Sequence, residues 1–179
     1  METQIVVIAG GPSGLSAAVQ AAQDGAEVIL LEKGATVGGA ANMGMGPLGI
    51  GTKYQKRNMQ EITVEQAFNM FMDYTHYMVD ARIVKRYFAQ SAETIQWLED
   101  MGVEFEGAYP YFPKAMPTWH IVKTGNPIGP RAASVMNKHL YETALDLGVE
   151  VLLNTPATGI IKKDGKVVGV KAVSQDGEE

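Results

Sequence analysis

The sequence predicts an α/β fold with a parallel sheet, a mainly helical insertion and a β-hairpin crossover. Three observations predict it. Residues 5–9 form a continuous apolar run that enters a glycine turn (Gly10, Gly11, Pro12, Ser13, Gly14) and resumes as the small-residue stretch 15–19. Comparable apolar runs recur at residues 26–31 and 149–153. Residues 158–163 and 166–173 flank Asp164 and Gly165, a two-residue hairpin signal.

The first run is too short for a membrane span and too continuous for a half-exposed strand. It reads as a parallel strand buried on both faces. The glycines turn the chain sharply, and the small residues after them suit a helix pressed against that strand. Strand, glycine turn and helix together match the Rossmann-like dinucleotide fingerprint G-x-G-x-x-G, with Ala9 at the first glycine position. Gly11 would let backbone approach a pyrophosphate, Gly14 would let helix and strand close up, and the amides around Pro12 and Ser13 would face the phosphates.

The second run ends in Glu32, where a carboxylate would grip a ribose hydroxyl pair and repel a 2′-phosphate. To this point FAD and NAD are equally supported. The glycines that follow, Gly38, Gly39, Gly44, Gly46, Gly49 and Gly51, separate them. A nicotinamide site needs no second glycine-rich loop directly after the acidic residue. A flavin dinucleotide does, because backbone must pass close to its pyrophosphate and ring. A loop this long and apolar is a poor linker. FAD is the expected cofactor.

These elements resemble the flavoprotein subunits of fumarate reductase and succinate dehydrogenase and their soluble relatives. The family's strand–turn–helix, L-E-K, G-G and small-residue segment match the opening turn, then Leu31, Glu32 and Lys33, then Gly38 and Gly39, then Gly44, Met45 and Gly46. Ala9 replaces a glycine, Ala40 and Ala41 replace a polar pair, and Pro47 replaces the final glycine. The likeness covers residues 3–50 and about 126–173. It implies cofactor contacts from Gly11, Pro12, Ser13, Gly14, Glu32, Lys33, Gly38, Gly39, Ala40, Ala41, Gly44, Met45 and Gly46. Thr155, Pro156 and Ala157 would pass the adenine.

The resemblance also implies hydride transfer between flavin and a C=C or CH–CH bond beside a carboxylate. In the family the groups that polarise the substrate lie mostly further along the chain, so no catalytic residue is assigned. The expectation is an incomplete FAD-binding domain, its first strand left as an open edge prone to self-association. Membrane-bound relatives attach FAD through a histidine after L-E-K. Here the first histidine is His76, so non-covalent FAD is expected. Two other readings stay open: a different flavoenzyme, such as an amine-oxidase-like protein or a ketosteroid dehydrogenase, and a nucleotide-binding module without turnover.

Composition narrows the field further. With 179 residues, 46% of them hydrophobic, the chain can bury a core. A net charge of −5 without basic runs argues against nucleic acid as a partner. The lack of cysteine excludes disulfides, thiolate metal sites and cysteinyl flavin links, and no spacing of ligands suggests a metal. No apolar segment reaches the ~20 residues of a membrane span, and a strand begins too early for a signal peptide. A cytoplasmic protein with a small-molecule substrate is the expectation.

Three stretches are expected: residues 1–52 open the nucleotide-binding domain, 53–125 are a helical and irregular insertion, and 126–179 return to the sheet. Residues 52–61 read as a polar link and 63–77 as a helix. Asp80 reads as the cap of a second helix that Gly102 ends, with Val84, Tyr87, Phe88, Ile95, Leu98 and Met101 on one face. Residues 103–129 read as mostly irregular with one or two short strands, and 130–147 as a helix with Ala133, Met136, Leu140, Ala144 and Leu147 along its stripe. His76 reads as a packing or surface residue, with catalysis as the alternative. Arg131 and His139 read as capping or surface residues, with a substrate-carboxylate role for Arg131 as the alternative. Trp119 and His120 read as packing residues first, with a flavin-proximal place as the alternative.

Overall fold

The computed structural model describes residues 1–111, 115–174 and 177. Residues 112–114 of the aromatic stretch and positions 175, 176, 178 and 179 lie outside the described residues. The chain divides into two compact units, one built from Met1–Met43 and Asn137–Glu179 and the other from Gly44–Met136.

The first unit holds the parallel sheet. Its strands β1 (Ile5–Ile8), β2 (Val28–Leu31) and β5 (Glu150–Leu152) lie in the order β1–β2–β5. Ile5 faces Val28 and Ile8 faces Leu31 across β1 and β2, and Leu31 faces Leu152 across β2 and β5. The helix α1 (Pro12–Gln23) buries Leu15, Ala18 and Val19 completely, and their i, i+3, i+4 spacing makes one continuous stripe.

β2, the middle strand, is buried along its whole length. β1 lies at an edge of the three strands, as the open-edge expectation has it. The reading of burial on both faces fails, since Ile5 is 38% and Ile8 48% exposed there. β1 also ends one residue early, since Ala9 takes a φ of 88° and leaves the extended region.

The expected hairpin is present as β6 (Ala157–Lys163) and β7 (Lys166–Ala172), antiparallel and paired with each other. Asp164 and Gly165 both have positive φ, 51° and 77°, as a two-residue turn with the strands' own twist requires.

The second unit contains α2 (Lys53–Arg57), α3 (Val64–Tyr74), α4 (Ala81–Asp100), β3 (Phe105–Pro110) and β4 (Pro117–Val122). Thr63 caps α3 by accepting from the Gln66 amide at 3.1 Å, and Asp80 caps α4 by accepting from the Arg82 amide at 2.9 Å. Ile50, Ile62, Ala67 and Phe88 form its core, with Leu48, Phe68, Phe71 and Val84 packed against them. Of the expected α4 face, Phe88, Ile95 and Leu98 are buried, while Tyr87 is exposed.

Two expectations fail here. Residues 52–61 are not a plain polar link, because Gln55 builds α2. Its carboxamide accepts from the Thr52 amide at 3.0 Å and donates to the carbonyls of Gly49 and Pro117 at 3.0 and 2.8 Å. Residues 103–129 are also more regular than expected, since β3 and β4 pair along most of their length. The helix α5 (Ala133–Asp146) starts three residues later than the sequence suggests, after Arg131 turns the chain with a φ of 71°.

Candidate functional site: a glycine turn, a carboxylate and two asparagines

All of the site described here lies in the first unit. β1 delivers the chain to Ala9, whose amide donates to the Leu31 carbonyl at 2.7 Å. The next residues reverse direction and enter α1 with Gly11 at the N-cap and Pro12 in the first turn. No side chain caps this end and no acidic residue sits in its first turn. The free amides and the positive end of the helix dipole are therefore left for an anion.

The glycines of this turn do different jobs. A Cβ at Gly14 would lie 3.1 Å from the carbonyl carbon of Ala9 and closer still to its oxygen, so strand and helix can meet only if residue 14 has no side chain. A Cβ at Gly11 would meet nothing within 4 Å, and its φ of −71° suits any residue. The protein's own packing accounts for Gly14 but leaves Gly11 open to approach from outside.

Glu32 follows β2 and faces the same turn. One carboxylate oxygen accepts from the Gly10 amide at 2.6 Å and the other from the Gly34 amide at 2.7 Å. A carboxylate offers about four acceptor positions, so roughly two remain for hydroxyl donors. The sequence nominates Glu32 as a ligand-binding group. The structure adds that it also ties the two turns together. Lys33 beside it is exposed.

Gly38 donates its amide to the Gly10 carbonyl at 2.7 Å and has a φ of 96°, a conformation that glycine adopts without strain. A side chain there would collide with the Asn42 carboxamide. Gly39, Ala40 and Ala41 lie in the short 3-10 helix Gly39–Met43, with Gly39 and Ala40 exposed. The Asn42 Nδ2 donates to the Val37 carbonyl at 2.9 Å, and its Oδ1 accepts from Asn137 Nδ2 at 2.7 Å. Asn137 is 1% exposed, and its Oδ1 is buried without a hydrogen-bond partner.

Beyond β5 the chain returns to this place. The Asn154 amide donates to the Gly34 carbonyl and the Thr155 amide to the Glu32 carbonyl, both at 2.9 Å. Thr155 thus lies beside the acidic residue, with Pro156 and Ala157 following it. The structure brings together the turn at 10–14, Glu32, Gly34, Gly38 and Thr155. Asn42 and Asn137 join them without having been singled out from sequence. The available signal was that Asn42 is the one polar side chain between Val37 and Ile50.

Gly44, Met45 and Gly46 fall in the second unit, where residues 45–49 run along β4. Val122 and His120 donate their amides to the carbonyls of Met45 and Pro47, both at 2.8 Å. A side chain at Gly46 would strike the His120 carbonyl. The close approach of β4 therefore accounts for that glycine.

His120 is fully buried. The Thr118 carbonyl 3.0 Å from Nδ1 can only accept, so Nδ1 carries the proton. Nε2 then accepts from the Thr52 hydroxyl at 2.7 Å. Burial lowers its pKa, keeping the ring neutral. His120 packs edge-on against Tyr54 and Phe105. Trp119 donates its indole N–H to the Gly46 carbonyl at 3.1 Å. His76 and Arg131 are exposed and His139 is half-buried. Among the described residues no cluster of His, Cys, Asp or Glu could hold a metal ion, and no helix is long and apolar enough to cross a membrane.

An FAD molecule suits the donor set of the first unit. The unit holds an uncapped helix end, a glycine with open space around it, a carboxylate with acceptor capacity left over and a buried acceptor without a partner. Comparison with known proteins agrees. The FAD binding domain family matches residues 4–179. The chain is 38% identical over 171 residues to the vinyl phenol reductase of Lactiplantibacillus plantarum, covering 93% of this chain and 32% of that protein. Among solved structures it is similar to the 3-ketosteroid-delta4-(5alpha)-dehydrogenase of Rhodococcus jostii RHA1, with a TM-score of 0.85, 26% identity, and coverage of 97% of this chain and 42% of the other. A flavocytochrome c3 fumarate reductase gives a TM-score of 0.83 at 26% identity, covering 95% of this chain and 30% of the other. The chain thus spans about a third of the length of the curated relative it matches. It belongs to the FAD-binding domain family, among flavoproteins related to fumarate reductase.

Proposed function

We propose that the turn at residues 10–14 holds the FAD pyrophosphate, that Glu32 accepts from the adenosine ribose hydroxyls, and that Gly38, Gly39, Ala40 and Ala41 present backbone along the dinucleotide. Thr155, Pro156 and Ala157 flank the adenine side. The observation that carries this reading is the contrast between Gly11 and Gly14. Packing explains one glycine, and open space surrounds the other. Gly11→Ala in the full-length protein tests it. Apoprotein melting should stay unchanged while FAD binding weakens at least tenfold. Wild-type FAD affinity in this variant would overturn the placement.

The whole protein, in this reading, is an oxidoreductase acting on a carbon–carbon double bond. Bound FAD supplies two-electron transfer, and this chain's part is to seat and orient it. Fumarate and vinyl phenol, in the names of two relatives, each carry such a bond. A carboxylate-bearing substrate is the first candidate. The 38% identity to a vinyl phenol reductase favours a vinyl arene as the second. Turnover of fumarate, acrylate and vinyl phenol by reduced full-length enzyme separates them, and reduction of none would refute both.

A further inference from the structure

The two asparagines have a fixed polarity. The Val37 carbonyl can only accept, so the amino group of Asn42 must face it. Asn42 Oδ1 then faces Asn137 and requires a donor, which Asn137 Nδ2 supplies at 2.7 Å. Turning over either carboxamide would set two oxygens against each other. The loose end is therefore an acceptor, Asn137 Oδ1, on a side chain that is 1% exposed. Buried acceptors in native proteins have partners, and one left alone is destabilising. The relay is also tied to the site, because Asn42 occupies the space that a side chain at Gly38 would need, and Gly38 is bonded to Gly10.

We propose that Asn137 Oδ1 accepts a hydrogen bond from a hydroxyl or N–H donor of bound FAD. Asn137 is then a cofactor-recognition residue. The inference rests on FAD being the ligand. The dinucleotide carries such donors in both halves, on its ribose and adenine and on its ribityl chain and flavin.

The test uses the full-length protein stripped of flavin, as wild type, Asn137→Leu and Asn137→Asp. Asn137→Leu removes one buried orphan and leaves Asn42 Oδ1 without its donor, so the apoprotein should melt near the wild-type temperature. Its FAD dissociation constant, read by flavin fluorescence quenching, should rise about tenfold, the effect of one hydrogen bond of ~1.4 kcal/mol. Asn137→Asp sets a carboxylate against Asn42 Oδ1 at pH 8. Burial and the facing Asn42 oxygen raise the pKa of this carboxyl above the usual aspartate range. As pH falls to 5 the protonated form therefore regains a donor for Asn42 and keeps an acceptor for FAD, and affinity relative to wild type should recover in this variant and not in Asn137→Leu. Weakened ADP binding would place the donor in the adenosine half. Unchanged ADP binding with weakened FAD binding would place it in the flavin half. Asn137→Leu binding FAD as wild type does would overturn the proposal, with a buried water as the partner. So would an Asn137→Asp protein whose stability recovers at pH 5 while its FAD affinity does not. A wild type that takes up no FAD would remove the cofactor reading itself.

Discussion

Ala9 and Gly14 sit at either side of one turn and should respond to substitution in opposite directions. Ala9 has a φ of 88°, where an L-residue is strained by about 1–2 kcal/mol. Ala9→Gly removes that strain but adds freedom to the unfolded chain, a loss of about 0.4–1 kcal/mol. The net expectation is a gain of roughly 0.5–1 kcal/mol, or about 1–4 °C in melting temperature for a domain of this size. Gly14→Ala places a methyl group against the Ala9 carbonyl, and the backbone of β1 or α1 must move to admit it. Overpacking of this kind costs about 1–3 kcal/mol. Thermal melting of the apoproteins, followed by circular dichroism, reads both changes. A destabilised Ala9→Gly would mean that Ala9 is not strained, and a neutral Gly14→Ala would mean that helix and strand are not in close contact.

Other outcomes follow from the same geometry. Glu32→Ala should weaken FAD binding by about 1.5–3 kcal/mol and also lower the apoprotein melting temperature, because the Gly10 and Gly34 amides lose their acceptor. His120 has a pKa held below its ordinary 6.5 by burial, so the unfolded chain takes up the proton more readily. The neutral ring's contribution is then fully present above pH 6.5 and lost as pH falls toward the folded pKa, with a slope of at most about 1.4 kcal/mol per pH unit. Denaturant titrations between pH 5 and 8 should show that slope, and His120→Gln should flatten it. Acid precipitation of the flavin-loaded protein should release all yellow colour to the supernatant, and colour in the pellet would refute non-covalent binding. Residues 1–179 alone should self-associate through the β1 edge, with Ile5→Lys reducing it in sedimentation. A wild-type segment that stays monomeric would refute that.

The parallel strands, α1 and the hairpin were legible because each is specified locally, by an apolar run, small residues at helical spacing, or Asp164 with Gly165. The cap of α4 was legible for the same reason, since Asp80 acts on an amide two residues away; the equally local cap of α3 by Thr63 was not read from the sequence. α2 was missed although Thr52 and Gln55 form the T-x-x-Q pattern of a capping box. Its short length and the charged residues around it hid the signal. The pairing of residues 45–49 with β4 depends on partners some 70 positions apart along the chain, as in Trp119 with Gly46, and that of β3 with β4 on an irregular register running from Phe105 opposite Val122 to Pro110 opposite Pro117. Glu32 is nominated for the proposed site by its place after a buried strand. Asn42 and Asn137 are not, because their meaning lies in a contact between residues 95 positions apart.

The site cannot be separated cleanly from the fold by removing its most conspicuous side chain. In the proposed site Glu32 meets the ligand with the same carboxylate that joins the Gly10 and Gly34 turns, so a Glu32 variant should change binding and scaffold together. Gly38 has the same double character, since its amide holds Gly10 while its missing side chain admits Asn42. Only positions whose surroundings belong to one role can divide the two. Gly14 is enclosed by the protein's own backbone and reports the scaffold. Gly11 has nothing of the protein within 4 Å of an added Cβ and reports what approaches from outside. If Gly11→Ala weakens FAD binding with an unchanged melting temperature, and Gly14→Ala lowers the melting temperature, the turn is one structure with two separable functions. A Gly11→Ala protein that instead melts early would place that glycine in the scaffold and leave α1's free amides without their access route.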